Sequence, residues 1–203
     1  MTTASSATRG AQFELDPGKA VRRHPVTEQP VLPLHTISLL VRNKPGVLVR
    51  VSLVFSRRGY NIESLVVSPA LSAKDSKGGE ISGEFSRMTI TCSGDPDNLE
   101  QIVKQLEKLI DVVHAIDHTG QAVIESELAL IKLKVGIKDR TEILQIVEHY
   151  RAKVVDYGSD SMILRVEGES DKIDRCIDLL TPFTIVELVR SGKILMVRGL
   201  ETT

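Results

Sequence analysis

Aromatic residues are scarce: four Phe, three Tyr and no Trp make up 3% of the 203 residues. Proteins that hold single-stranded nucleic acid stack bases on exposed aromatic rings, and deep cofactor pockets are commonly walled with them. Little material exists here for either. Cysteine is nearly absent too. Cys92 and Cys176 lie far apart, which argues against a disulfide scaffold and for a reducing compartment. Neither sign of charge dominates: Lys and Arg total 26 against 27 Asp and Glu. An electrostatic footprint for nucleic acid or an anionic membrane is missing. No apolar run reaches the ~18 residues of a membrane span. Met1 to Pro33 lacks the apolar segment of a secretory signal and mixes Arg9, Arg22 and Arg23 with Glu14, Asp16 and Glu28, a poor fit to an acid-free transit sequence. Residues 1–34 read as a disordered extension, and the expected location is the cytoplasm.

What is present is an ordinary globular mixture, 41% hydrophobic and 26% charged, long enough for two small domains. His35 to Val41 is β-branched and apolar and predicts a strand. The turn Arg42-Asn-Lys-Pro-Gly46 opens a helix, with Pro45 suited to its first turn, and Val47, Leu48, Val51, Val54 and Phe55 form its apolar face. Arg57-Arg58-Gly59 ends it. Tyr60–Ser68 and Phe85–Cys92 predict two more strands. In the latter, Phe85, Arg87, Thr89 and Thr91 face one way and Met88, Ile90 and Cys92 the other. The polar stretch Pro69–Glu84 between them is a long connection, either a contact segment or an inert insertion. Asp95 and Pro96 start a second helix, with Leu99, Ile102, Val103, Leu106, Leu109 and Ile110 inward, and Val112–Asp117 makes a fourth strand.

The order β-α-β-β-α-β then repeats. Leu128–Val135, Lys153–Asp156, Met162–Glu167 and Thr184–Val189 are strands, and Ile194–Val197 is a candidate fifth. Thr141–Tyr150 and Ser170–Leu180 are helices. The fold class is α+β, two ferredoxin-like units over 35–120 and 121–203 joined near Gly120–Glu125.

Catalytic constellations are not visible. His114 and His118 are spaced to share a strand face, but no Cys, Asp or Glu cluster completes a metal set, so half-exposed surface positions are expected for both. Cys92 and Cys176 sit on apolar patterns. The first strand–helix turn is the exception. A helix N-terminus offers free N–H groups and partial positive charge to a carboxylate, and Gly46, read as lying inside the first turn, suggests a close approach to the backbone. Asn61 supplies an amide that can accept from an ammonium group. With Asn43 nearby in type and Val47, Leu48 and Ile62 as apolar walls, these residues are an inventory for binding a branched amino acid. An RNA-binding ferredoxin-like protein is the rival. It requires a basic sheet face with exposed aromatics, which residues 35–41 lack.

The segment His35-Thr-Ile-Ser-Leu-Leu-Val-Arg-Asn-Lys-Pro-Gly-Val-Leu48 resembles the start of an ACT domain, a small-molecule sensor of amino-acid metabolism. Phe55-Ser-Arg-Arg-Gly-Tyr-Asn-Ile-Glu-Ser-Leu65 resembles the regulatory small subunits of acetolactate synthase. Ser86–Ile90, Glu100–Val112, Glu127–Lys132, Arg190–Gly192 and Arg198-Gly199 extend the likeness over 35 to about 199. The resemblance implies a non-catalytic subunit without cofactors of its own, partnered with a large subunit that carries thiamine diphosphate, magnesium and FAD. It implies activation of that subunit, feedback inhibition by a branched-chain amino acid, usually valine, and a homodimer with the effector between two ACT domains. The matching effector residues are Asn43, Gly46, Val47, Leu48, Asn61 and Ile62. A free-standing ACT-type sensor regulating another protein is the alternative.

Overall fold

The computed structural model describes residues 33–70, 84–199 and 203. The expected N-terminal extension and most of the 69–84 connection lie outside the described residues. Two antiparallel sheets carry the fold. The first uses β1 (Leu34–Arg42), β2 (Asn61–Pro69), β3 (Phe85–Ser93) and β4 (Val112–Asp117) in the order β2-β3-β1-β4. Helices α1 (Val47–Arg57) and α2 (Leu99–Glu107) cover one face. The core is the alternation of the strands: Ile37, Leu39 and Val41 of β1 and Met88, Ile90 and Cys92 of β3 meet Val51, Phe55, Ile102 and Leu106 of the helices. Burial pushes the Cys92 thiol up to about 12, so it is a small core residue rather than a nucleophile.

Local signals set the helix ends. Asp95 Oδ1 accepts from the Asp97 N–H at 3.1 Å, and Pro96 opens one turn of 3-10 helix that leads into α2. That helix stops at Glu107, so Ile110 falls beyond it and is 87% exposed rather than inward. Leu48 likewise leaves the buried stripe of α1, at 42% exposure.

The second sheet uses β5 (Val123–Lys134), β6 (Lys153–Tyr157), β7 (Ser161–Gly168) and β8 (Thr184–Arg190) in the order β6-β7-β5-β8, with α3 (Arg140–His149) and α4 (Ser170–Leu180) on one face. Ile131, Leu133, Met162, Leu164, Ile143, Ile173 and Cys176 form its core. The same strand order twice gives two βαββαβ units. The expected joint at Gly120–Glu125 is partly strand. Val123–Ser126 already belongs to β5, where β9 (Ile194–Val197) pairs with it. That pairing joins residues some seventy positions apart, so no local pattern announced it.

The β5–β9 ribbon and the turn before β9 lie over the face of the first sheet that the helices leave open. A side chain at Gly192 (φ +80°) would come within 3.0 Å of the Ser64 Cβ and 3.1 Å of Val66. Thr89 and Thr91, on the side of β3 away from the helices, are buried as well. A groove of about 400 Å³ remains there, lined in part by Val66, Arg87, Ile124, Ile194 and Met196.

A part-buried ion pair holds that turn. Glu127, 6% exposed, receives Arg190 Nε at 2.9 Å, Arg190 Nη2 at 2.6 Å and Ser170 Oγ at 2.9 Å. The next residue, Ser191, donates its backbone N–H to the Leu128 carbonyl at 2.9 Å. Burial alone raises the Glu127 carboxyl, but the hydrogen bonds from Arg190 and Ser170 and the guanidinium charge outweigh it and leave it below the usual range. Arg190→Met leaves the Glu127 carboxylate without its cation and is expected to cost ~1–3 kcal/mol, measured by urea unfolding at pH 7. A depressed carboxylate stabilises above its unfolded pKa and stops doing so as pH falls through the folded value. The gap between wild type and variant should therefore narrow below pH ~4.

Candidate functional site

The turn from β1 into α1 is built on backbone bonds. The Asn43 N–H donates to the Glu84 carbonyl at 2.7 Å, and the Arg42 N–H to the Asp111 carbonyl at 2.8 Å. Arg50 on the first turn of α1 pairs with Asp111, which fixes the helix against the end of the sheet. Gly46 is the N-cap residue rather than a residue inside the first turn, and it has φ +83°. Its glycine is explained by that left-handed backbone, not by contact within the chain: a Cβ there meets nothing within 4 Å. No side chain caps α1, and its first turn holds no acidic residue. The first turn itself therefore supplies no negative charge to the positive end of the helix. Val47 is buried below it, while Leu48 stands exposed beside it.

Asn61 opens β2. Its Nδ2 donates to Glu63 Oε1 at 2.7 Å, which commits the amide's NH₂ side and turns Oδ1 away from that carboxylate. Ser93 Oγ donates to the same Glu63 oxygen at 2.6 Å. The Ser93 and Asn61 hydrogen bonds, outweighing a slight burial, hold the Glu63 carboxyl below its usual range. The ladder with β3 skips Glu63, because Ile62 faces Cys92 and Ser64 faces Thr91. This bulge turns Glu63 back towards Asn61. Ile62 packs partly against the core. Glu63 was not among the residues picked out from sequence. Its only sequence signal was its place two residues after Asn61.

The structure does not bring the two halves of this inventory together in one chain. Arg42 lies opposite Phe85, and Asn61 lies opposite Ser93. These positions are eight residues apart on β3, about 26 Å at 3.3 Å per residue. Asn43, Gly46, Val47 and Leu48 sit at one end of the sheet, and Asn61 and Ile62 at the other.

His118 corrects another expectation. It lies past the end of β4 and is buried, with Nε2 2.8 Å from Ser38 Oγ and Nδ1 3.1 Å from Gln121 Oε1. Among the described residues no group of three His, Cys, Asp or Glu could hold a metal ion, and no helix is long and apolar enough to cross a membrane.

Comparison with known proteins identifies the two sheets separately. A family model described as an AHAS small subunit-like ACT domain matches residues 37–114, and one described as the small subunit of acetolactate synthase matches 126–199. The acetolactate synthase small subunit of Mycolicibacterium smegmatis is 42% identical over 167 residues, covering 82% of this chain and 92% of that one. The chain belongs to the acetolactate synthase small-subunit family. The Mycobacterium leprae small subunit is 40% identical over 83% of this chain and 94% of its own length. The crystal structure of the Thermotoga maritima small subunit is similar with a TM-score of 0.68 at 35% identity, covering 83% of this chain and 99% of that one. As a member of this family the chain is a regulatory, non-catalytic subunit, and its partner is the acetolactate synthase large subunit. The match over 126–199 bears on the alternative of a free-standing sensor, which needs an ACT domain but no second unit of this family's type.

The open helix end yields a stability expectation. Gly46→Ala forces an L-residue into left-handed backbone and should cost ~1–2 kcal/mol. Its side chain enters open space, so urea unfolding should show a lower midpoint at unchanged slope.

Proposed function

We propose that this small subunit senses a branched-chain amino acid, valine foremost, and passes feedback inhibition to the large subunit that it also activates. Residues 35–120 form the sensing unit, and residues 121–203 serve the contact with the large subunit. The reaction's thiamine diphosphate, magnesium and FAD belong to that partner, and the complex works in the cytoplasm. One observation carries the reading: the helix end and Asn61 occupy opposite ends of the same sheet, and β2 is an edge strand in the order β2-β3-β1-β4.

A free edge can pair with its own copy about a two-fold axis. If two β2 strands pair antiparallel, Asn61 of one copy lies beside Pro69 of the other. Pro69 faces Ser86, at the same end of the sheet as Asn43 and Gly46. Two-fold pairing therefore assembles two complete sites from two incomplete halves. The uncapped end of α1 takes the effector's carboxylate. The Asn61 Oδ1 of the second copy accepts from its ammonium group. Leu48, exposed in the single chain, closes with Val47 and Ile62 on a short branched side chain.

Sedimentation should show at least a dimer at micromolar concentration with valine present. A monomer under those conditions contradicts the shared site. Gly46→Asp puts a carboxylate where the ligand's must go, and Asn61→His removes an acceptor for its ammonium. Loss of a hydrogen bond to a charged group weakens binding about tenfold to a hundredfold. Each variant should move the valine inhibition midpoint of the reconstituted enzyme upward by about that factor while activation persists. Unchanged midpoints in both would place the effector elsewhere.

A further inference from the structure

We infer that Glu63 is the counter-charge for the effector's ammonium group, and that it makes the site select α-amino acids against 2-oxo acids bearing the same side chain. The inference rests on the effector reading above and adds to it a residue and a selection rule.

Three observations converge on Glu63. It stands at the start of the edge strand, in the bulge between Ile62 and Ser64, so its side chain leaves the regular alternation and turns to the Asn61 end of the sheet. Both of its described hydrogen bonds fall on one oxygen, Oε1, from Asn61 Nδ2 at 2.7 Å and Ser93 Oγ at 2.6 Å. Among the described residues Oε2 receives no hydrogen bond and the carboxylate has no Lys or Arg partner. The group is oriented, ionised and left with one oxygen for an incoming donor.

The two ends of the sheet now have opposite character. The α1 end presents first-turn N–H groups with a glycine as N-cap and no acidic side chain in its first turn. The β2 end presents a carboxylate and an amide oxygen. A zwitterion placed between two copies meets each of its charges with the opposite one. A 2-oxo acid of identical shape has only the negative charge. Its carbonyl oxygen, a pure acceptor, would face Glu63 and find repulsion where the ammonium finds a charge-assisted bond. An apolar pocket cannot make this distinction, because the two side chains are the same. A site that donates or accepts at the differing atom can.

Glu63→Gln tests it. The amide oxygen still accepts from Asn61 and Ser93, so the local bonds survive and only the charge is lost. Isothermal titration of the intact dimer would use L-valine and 3-methyl-2-oxobutanoate as probes. Wild type should bind valine at least about a hundredfold more tightly than the oxo acid. In Glu63→Gln, valine affinity should fall about tenfold to a hundredfold, and the preference should shrink by a similar factor. Glu63→Asp keeps the charge and should retain more of the preference than Gln. Unchanged sedimentation and thermal unfolding separate this from a structural effect, since a merely structural Glu63 would lower both ligands alike. Valine affinity in Glu63→Gln within twofold of wild type, with Gly46→Asp still losing it, overturns the role of Glu63 and leaves the effector site standing. Failure of valine to bind wild type, or equal binding by Gly46→Asp, overturns both.

Discussion

Strand β3 is hydrogen-bonded along its whole length to β1 on one side and to β2 on the other, and the placement of every polar group of interest follows from that. The crossover through α1 makes β1 and β2 run the same way. Whatever follows β1 is then a full strand length from whatever begins β2. A chain built this way cannot close its own pocket, however well each half is formed. On the function proposed above, closure requires another copy, and the edge of β2 is where one would attach. Ligand binding and association become linked quantities in such an arrangement, each strengthening the other.

The parts of the fold legible in the sequence are those specified locally. Asp95-Pro96 marked a helix start that the backbone honours, and the alternation of Met88, Ile90 and Cys92 named the core face of β3 correctly. The order of elements, twice βαββαβ, followed from such signals. The extension of β5 back to Val123 did not, because its partner β9 lies at the far end of the chain. Burial of Thr89 and Thr91 was not signalled either, because the ribbon beside that face comes from the far end of the chain. Of the candidate site, both halves were legible as residue types at a turn and a strand mouth. Their separation was not, since distance along a sheet depends on register. Glu63 escaped notice because its orientation comes from a bulge.

The contact between the two sheets differs in kind from the two cores. Ser64, Thr89 and Thr91 lie on the covered face of the first sheet, and a glycine turn approaches them closely. Such a surface adapts to small displacements more readily than interlocked aliphatic packing. What holds the turn in place is polar as well: the Glu127–Arg190 pair and the Ser191 bond to Leu128. Apolar burial secures each unit, and the directed bonds at Glu127 and Leu128 fix the turn that approaches the first sheet.

Strand β5 runs without a break from Val123 to Lys134. Its first four residues pair with β9 beside the first sheet, and its remainder is a central strand of the second. The ribbon is therefore a shaft with one end seated beside the first sheet and the other embedded in the second. A hydrogen-bonded shaft transmits torque along its axis and takes up little of it by bending. The compliant element is the turn just ahead of it, at Gly120 with φ +73°. Because one strand serves both sheets, the register of β9 on Val123–Ser126 and that of β7 on Glu127–Lys134 are set by the same backbone.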